Sequence, residues 1–162
     1  MNVTVVPVKA KGVWPLFAPH HYLTGKYAGH RAFLAILADT GDPVAFTSSI
    51  SFPHAKVKHG RREHRTVVLP DFQGLGLGVR LSEWLGEWHL LQGHRFYSRT
   101  THPRMGAYRD ASPLWRATAG SGKRQNASQM TKDSGNGVGG AFNADTTRIA
   151  FSHEYVGRTT AS

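Results

Sequence analysis

The alternation of apolar and polar residues predicts strands in the first third of the chain. Residues 3–8 alternate weakly, as in a first strand, whereas prolines and glycines interrupt residues 9–29, which predict a loop with one short helix. Residues 31–38 and 44–52 are two extended apolar runs on either side of the turn sequence at 40–43. These two runs predict an antiparallel hairpin.

The hydrophobic period changes in the middle of the chain. Residues 65–69 form a short β-branched run, and residues 78–91 then show the 3.6-residue period of an amphipathic helix that Gly93 closes. The apolar face predicted for this helix contains Leu77, Leu81, Trp84, Leu85, Trp88 and Leu91.

The second half of the chain continues the mixed pattern. Residues 95–100 predict a strand, 103–110 a short helix and 148–155 a last strand. Residues 123–140 are rich in Gly, Ser and Asn, carry three basic residues and one acid, and predict a flexible loop within a single domain spanning 1–162. This order predicts an α+β fold with a central mixed, mostly antiparallel sheet flanked by helices.

The net charge of the chain indicates a class of binding partner. Twenty Lys and Arg residues against ten Asp and Glu give a net charge of +10, which attracts polyanions and favours nucleic acid. A generally basic surface, or a site for a phosphorylated small molecule, would give the same balance.

Several site classes and locations are excluded or disfavoured by composition. The chain has no cysteine, so disulfides, thiolate metal sites and cysteine nucleophiles are excluded. Its ten histidines match no metal-binding spacing, and we expect no metal. No apolar run approaches the roughly 20 residues of a membrane helix, and residues 1–8 lack the pattern of a secretory signal. The expected location is the cytoplasm.

The most specific motif joins the predicted strand at 65–69 to the predicted helix. Gln73 begins a turn in which Gly74, Gly76 and Gly78 alternate with leucines. Glycines allow close approach of a backbone to an oxyanion, and the free amides of a helix N-terminus attract one. Dinucleotide and Walker-type phosphate motifs do not fit, because Val79 stands where a third spaced glycine is needed and no Gly-Lys-Ser/Thr follows. The structural alternative is a tight turn without a ligand.

The spacing Gln73-x-x-Gly76-x-Gly78 resembles the pyrophosphate loop of the GNAT acyltransferase superfamily. The resemblance implies a GNAT-like domain, transferase activity and acetyl-CoA or a related CoA thioester as cofactor. It implies that the terminal strand amides of Val68 and Leu69 polarise the thioester carbonyl. The cofactor-binding residues that it implies are Val68, Leu69, Gln73, Gly74, Leu75, Gly76, Leu77 and Gly78.

A wider pattern resembles a narrower group. The pattern consists of His21-Tyr22, the hairpin, His64-Arg65, the glycine loop, residues 97–100 and residues 112–116. It is similar to the pattern of phage-borne proteins of the Mom group, which modify adenine N6 in DNA. This resemblance implies DNA modification that evades restriction, in the host cytoplasm. The catalytic residues that it implies are His21, Tyr22, Ser98 and Asp110.

Each catalytic candidate has a structural alternative. His21 and Tyr22 are also typical of a packed loop pair, Ser98 of a strand hydroxyl satisfied by a neighbour, and Asp110 of an ion pair with nearby arginines. The tyrosine and Gly-Phe ending of ordinary GNAT enzymes are missing after residue 100, so the acid–base assignment stays open. Tyr108 is a candidate hydroxyl at unfamiliar spacing.

The predicted DNA contacts are basic residues expected to flank the glycine loop, as solvated charges beside a CoA site also would. DNA would be bound as a single strand or with an extruded adenine, and Tyr97, Tyr108 and Trp115 are the candidates to stack on the base. The predicted contacts are Lys56, Lys58, Arg61, Arg62, Arg104, Arg109, Arg116, Lys123 and Arg124.

Three functions therefore follow from the sequence. The first is a Mom-like transferase that modifies adenine N6 in DNA. The second is a conventional acetyl-CoA-dependent N-acetyltransferase acting on an amine of a protein or small molecule. The third is a nucleic-acid-binding module of the same fold without catalysis. The donor, the target sequence and the oligomeric state are not indicated.

Overall fold

The computed structural model describes residues 1–21, 26–124 and 149–158. The strands in this part of the chain are β1 (Val3–Pro7), β2 (Arg31–Leu37), β3 (Pro43–Ser51), β4 (Gly60–Val68), β5 (Arg95–Thr100), β6 (Trp115–Ala117), β7 (Lys123–Arg124) and β8 (Ile149–Tyr155). The helices are α1 (Ala10–Phe17), α2 (Leu77–Leu91) and α3 (Pro103–Ala111), with 3-10 turns at Ala18–His20 and Pro70–Phe72.

The strands form one mixed sheet in the order β1-β2-β3-β4-β5-β8-β6, and β7 pairs with β8 outside this path. Only β4 and β5 run parallel among these pairs; the others are antiparallel. The predicted α+β class and the predominance of antiparallel pairing are confirmed. The hairpin is also confirmed, since Arg31 lies opposite Ser49 and the chain reverses at Gly41, whose φ is 79°.

The sheet has two faces with separate cores. On the face that we call the front, α1 packs against the sheet through Phe17, which contacts Phe46 and Val67. On the opposite face, the back, α2 packs through Leu85 against Phe96 and other apolar side chains. Helix α3 also lies on the back, where it approaches β8 at Gly106 and Phe151.

Most of the predicted apolar face of α2 is packed. Leu81 and Leu85 are buried, and both Trp84 and Trp88 contact Phe33 edge to face. Leu91, which was predicted on the same apolar face, is 77% exposed and therefore does not pack with the others. It is the last residue of the helix, where the chain turns away at Gly93.

A buried histidine lies close to this helix end. His89 has no exposed surface, stacks on Phe96 and is 2.8 Å from Ser49 Oγ through its Nε2. Burial lowers the pKa of His89 to about 4, and the nearby charges of His94 and Arg61 act in the same direction. The helical period identifies the apolar face but did not indicate this polar core position.

The strands depart from prediction in three places. β4 was predicted at 65–69 but extends over nine residues from Gly60 to Val68, because β3 pairs with it from Arg61 to Val68. β6 was not predicted, since three residues are too few to show a period. Lys123–Arg124 was predicted as flexible loop but pairs with Ala150 and Ile149. Residues 125–140 of the predicted loop lie outside the described residues.

None of the helices in the described ranges is both long enough and apolar enough to span a bilayer.

Candidate active site

A gap opens where β4 and β5 separate. Their parallel ladder, as the structure describes it, joins only Gly60–Arg62 to Arg95–Tyr97, although β4 continues to Val68 and β5 to Thr100. A β-bulge lies directly beyond the last pair, since Ser48 and Ser49 lie opposite Arg65 and Glu63 and leave His64 as the extra residue. Bulges bend a strand and increase its twist. The bulge therefore coincides with the point where β4 leaves β5.

The glycine loop follows the open end of β4. Gly74 and Gly76 have φ of 81° and 75°, and a Cβ at either would meet no atom within 4 Å. It is therefore the left-handed backbone, and not lack of space, that requires glycine at these positions. Gln73 donates from Nε2 to the Val68 carbonyl at 2.9 Å, which fastens the loop to the strand.

The same loop begins α2. Gly76 is its N-cap residue and provides no side chain, and the Arg80 amide makes the first helical hydrogen bond, to the Gly76 carbonyl at 3.1 Å. The amides of Leu77, Gly78 and Val79 consequently have no acceptor within the helix. Together with the helix dipole they form a site for a phosphate anion at the end of the gap.

The end of β4 distinguishes the two predicted amide donors. The Leu69 amide donates to the Val44 carbonyl at 2.9 Å, so the prediction that it polarises a bound carbonyl is wrong. Amides alternate in direction along an antiparallel strand. The Val68 amide therefore points away from β3, towards the gap, and remains a candidate donor.

A buried ion pair supports the back of the gap. Arg109 Nη2 lies 2.9 Å from Glu63 Oε2, and the Arg109 side chain is 2% exposed. Burial alone would raise the pKa of Glu63, but the Arg109 charge and hydrogen bonds from Ser98 and Thr66 outweigh it and hold that pKa below its ordinary value. Glu63 is therefore a fixed carboxylate at the point where the strands part.

Hydroxyl groups complete this network. Arg109 donates to Ser98 Oγ at 2.7 Å and to Ser82 Oγ at 2.8 Å, while Ser98 donates to Glu63. The Arg109 guanidinium also lies 4.4 Å from the ring centre of Trp115. The network connects β4, β5, α2 and α3, so it fixes the width of the gap from behind.

Comparison with known families agrees with this geometry. The family model described as "Acetyltransferase (GNAT) family" matches residues 10–110, which is more than half of the chain. This chain belongs to the GNAT acetyltransferase family. It is accordingly a transferase, and acetyl-CoA is the cofactor of the family.

Solved structures show the same fold at low sequence identity. An IAA acetyltransferase from Bacillus cereus is 13% identical with a TM-score of 0.59, and covers 95% of this chain and 99% of its own. The ribosomal-protein-S18-alanine N-acetyltransferase of Escherichia coli is also 13% identical with a TM-score of 0.59, covering 99% and 98%. A GNAT family acetyltransferase from Elizabethkingia anophelis with acetyl-CoA bound is 14% identical with a TM-score of 0.60, covering 95% and 97%. No curated protein sequence matches significantly.

The residues present fit the family's cofactor. The left-handed glycines and the first-turn amides of α2, which have no acceptor within the helix, follow the end of β4, where the Val68 amide points into the gap. Leu75 is 58% exposed, so the loop lies at the surface. Of the predicted cofactor residues, Gln73 acts by fastening the loop, and Leu69 is already bonded to β3.

The four predicted catalytic residues of this GNAT chain do not form one cluster. Ser98 is 1% exposed on the back and is bonded within the Glu63 network, so it does not present its hydroxyl to a substrate as predicted. Asp110 accepts from His153 Nε2 at 2.7 Å, so its partner is a histidine and not one of the arginines considered from the sequence. His21 lies on the front beside Trp14, and Tyr22 lies outside the described residues.

The front side of the bulge carries a histidine and a tyrosine. The His64 ring meets Tyr27 edge to face, and its Nε2 accepts from the Ala28 amide at 3.0 Å. Burial, reinforced by Arg65 and Arg62, lowers the pKa of His64 to about 3. His64 is therefore neutral at pH 7, with its acceptor nitrogen already in use. His21 also contributes to the lowered pKa of His64, so it lies close to the His64 ring.

The predicted DNA contacts are dispersed. Lys56 and Lys58 precede β4 whereas the glycine loop follows it, so nine strand residues, about 25 Å, separate them and they do not flank the loop as predicted. Arg109 is buried, so its prediction as a DNA contact is wrong. Trp115 is 6% exposed beneath it and Tyr97 is 8% exposed, which excludes stacking on an extruded base without rearrangement.

The other basic candidates differ in their surroundings. Arg61 approaches His94 at 3.4 Å on the back, and Arg116 pairs with Glu154 at 2.7 Å on the front. Arg104 and Lys123 are exposed on α3 and β7, and Arg124 belongs to β7. Tyr108, the candidate hydroxyl, donates to Glu83 at 2.7 Å, and this bond raises its pKa.

Sequence reasoning identified the glycine loop but missed Glu63, Arg65, Tyr27 and Arg99 as residues around the gap. The period-two placement of Arg95, Tyr97 and Arg99 was a usable signal, because alternate strand residues share a face. Because Arg109 is charged, it was predicted at the surface, whereas the structure places it in the core.

Proposed function

We propose that this GNAT chain transfers an acetyl group from acetyl-CoA to an amine presented on the front face of the sheet. The observation that carries the proposal is the junction of the β4–β5 gap with the left-handed glycine loop and the free amides of α2. The family match supports acetyl transfer to an amine and gives no indication of adenine in DNA. Conventional N-acetyl transfer therefore takes precedence over adenine modification, which stays a prediction.

The position of each residue around the gap indicates its role in the proposed reaction. The amides of Leu77, Gly78 and Val79 would bind the pyrophosphate, and the Val68 amide would donate to the thioester carbonyl, whose acetyl group the cofactor supplies. The Glu63–Arg109 network and the two helices close the back. The acceptor therefore reaches the gap from the front, past the bulge at His64.

Proton transfer points to His21. The amine nitrogen would attack the carbonyl carbon, forming a C–N bond while the C–S bond breaks and CoA leaves as its thiolate. The proton lost by the amine would pass to a base. His64 cannot take it at Nε2, which accepts from the Ala28 amide, and Glu63 is committed to Arg109. Histidine is the side chain that most often serves as a general base, and His21 lies on the front beside Trp14, close enough to His64 to influence its pKa. We assign it the role of base.

The cofactor site is tested at Gly76. Gly76→Ala imposes a side chain on a left-handed backbone, which costs about 1–2 kcal/mol and shifts the first-turn amides. We expect the Kd for acetyl-CoA, measured by calorimetry, to rise at least tenfold. Gly41→Ala is the matched control, because Gly41 has φ of 79° with equally open space in the β2–β3 turn and should leave the Kd unchanged. Equal affinities for the wild type and Gly76→Ala would contradict the proposed site.

The base is tested by His21→Gln. We expect kcat for acetylation of a primary amine to fall about a hundredfold, with the Kd for acetyl-CoA unchanged, because general base catalysis contributes about 10²–10⁴-fold. His20→Gln, at the neighbouring exposed position, should retain wild-type kcat. An unchanged kcat and pH profile in His21→Gln would remove His21 from the mechanism.

The DNA prediction has a separate readout. Plasmid DNA from cells that express the protein is digested to nucleosides and analysed by mass spectrometry. A mass gain on deoxyadenosine that disappears in His21→Gln would replace amine acetylation with DNA modification as the function.

A further inference from the structure

Among the residues that the structure describes, five arginine side chains lie on the front of the sheet around the gap. Ser49 of β3 bonds to His89 on the back, so Glu63, its pairing partner on β4, also faces the back. Arg62, one residue earlier on β4, therefore faces the front. Beyond the bulge, Arg65 lies opposite Ser48, on the face away from Thr66 and the Glu63 network. The facing of the arginines on β5 and β6 follows from the alternation of side chains along each strand and from the pairing of these strands with β4 and β8. The five residues are Arg62, Arg65, Arg95, Arg99 and Arg116.

Contacts along β5 confirm this orientation. Arg95 lies 5.5 Å from the ring centre of Tyr97, which in turn contacts Phe52 beneath Arg62. The intervening Phe96 packs on the back against His89. Arg99, two residues beyond Tyr97, therefore shares the front face with it.

Two of these arginines border the gap itself. The last paired residues are Arg62 and Tyr97, and the next front-facing residues are Arg65 on β4 and Arg99 on β5. Arg65 and Arg99 thus stand on opposite sides of the opening through which an acceptor must approach. Arg65 Nη1 also donates to the His64 carbonyl at 3.0 Å, which ties this side chain to the bulge.

Glu154 lies on the same face, next to the outer arginines of this set. Glu154 accepts from Arg95 Nε and from Arg116 Nη2, both at 2.7 Å, so its two oxygens serve the outer arginines. Glu63 and Asp110 belong to the back of the sheet. The positive charge of Arg65 and Arg62 contributes to the low pKa of His64, in agreement with a concentrated positive potential at the bulge.

We propose that the acceptor is a primary amine that also carries a carboxylate or phosphate, and that Arg65 and Arg99 bind this anionic group at the mouth of the gap. The inference rests on the proposed acetyltransferase function and names its substrate class. A guanidinium offers a planar pair of donors that matches carboxylate and phosphate oxygens, and a polycationic amine would be repelled by the same surface.

The test compares amines that differ in their second group. Ethanolamine, O-phosphoethanolamine, β-alanine and putrescine are each assayed with acetyl-CoA by release of the free thiol. For the wild type we expect kcat/KM to be at least tenfold higher for the phosphate or the carboxylate amine than for ethanolamine, and lowest for putrescine. Which of the two anionic amines is better identifies the oxyacid.

The arginines are tested by Arg65→Gln and Arg99→Gln. Each should raise KM for the preferred anionic amine about tenfold or more, which is the loss of one charge-assisted hydrogen bond, and leave kcat/KM for ethanolamine and the Kd for acetyl-CoA unchanged. Arg99→Lys should recover part of the loss, since it keeps the charge but not the paired donors. Arg158→Gln, an exposed arginine outside this surface, is the matched control.

The outcomes separate the two proposals. A wild type that binds no acetyl-CoA overturns the proposed function, and with it this inference. A wild type that binds acetyl-CoA but acetylates ethanolamine or putrescine as well as the anionic amines, or acetylates none of the anionic ones, overturns the inference alone. So does a loss in the arginine variants that appears in the Kd for acetyl-CoA, or modification of a DNA oligonucleotide in preference to the small amines.

Discussion

Glu63→Gln is expected to destabilise the protein by about 3–5 kcal/mol, the usual cost of leaving a buried charge without its partner. Arg109 is 2% exposed, and its other hydrogen bonds reach only the neutral hydroxyls of Ser98 and Ser82. Glutamine retains a hydrogen-bonding group but removes the countercharge. The free energy of unfolding, measured by urea denaturation with tryptophan fluorescence, checks this value.

An exposed ion pair of similar length provides the control. Arg116→Gln breaks the bond to Glu154, which is 2.7 Å long, but the Arg116 side chain is 65% exposed. Exposed pairs contribute about 0–1 kcal/mol, so the same measurement should show a small change. If both variants lose the same free energy of unfolding, burial does not make the Glu63–Arg109 pair contribute more to stability than the exposed pair.

A double variant separates charge from packing. Glu63→Leu with Arg109→Met removes both charges, and apolar replacements of a buried pair are often neutral or stabilising. We expect this variant to be more stable than Glu63→Gln. Its affinity for acetyl-CoA should nevertheless fall, because the connection between β4, β5, α2 and α3 behind the gap is lost. Unchanged affinity would show that the network supports the fold and not the gap.

The sequence predicted the glycine loop because its chemistry is local. Left-handed backbone at Gly74 and Gly76 needs glycine whatever surrounds it, and the helix that follows has a clear period over four turns. The fold class followed from the same kind of signal, as strands and helices of ordinary length alternate along the chain. Local patterns therefore identified both the family and the glycine loop.

The composition of the site depended on pairing over long distances. Glu63 meets Arg109 across 46 residues, and this contact moves an arginine from the predicted DNA surface into the core. Likewise, the bulge at His64 shifts Arg65 to the front face, where simple alternation from Glu63 would place it on the back. One extra residue in one strand thus decides which side chains reach the acceptor, and no local pattern reveals it.

Stability is expected to fall by about 3 kcal/mol between pH 7.5 and pH 5, because one buried and one partly buried histidine remain neutral in the folded state. The pKa of His89 is about 4 and that of His64 about 3, against about 6.5 in the unfolded chain. Below pH 6.5 the unfolded chain binds protons that the folded chain does not, so stability is lost as the pH falls. At pH 5 this amounts to about 2 kcal/mol for His89 and about 1 kcal/mol for the less buried His64.

Urea denaturation of the wild type and of His89→Gln at both pH values tests this account. Glutamine can keep a hydrogen bond to Ser49 but does not titrate, so the variant should be less stable at pH 7.5 and show a pH difference smaller by about 2 kcal/mol. His20→Gln, at an exposed position, should keep the wild-type difference. A pH difference that persists in His89→Gln would mean that other groups, such as the carboxylates of Glu63 and Glu154, govern the acid sensitivity. Those carboxylates have lowered pKa values and release their stabilisation only below about pH 4.5, so the pH at which the loss begins distinguishes the two causes.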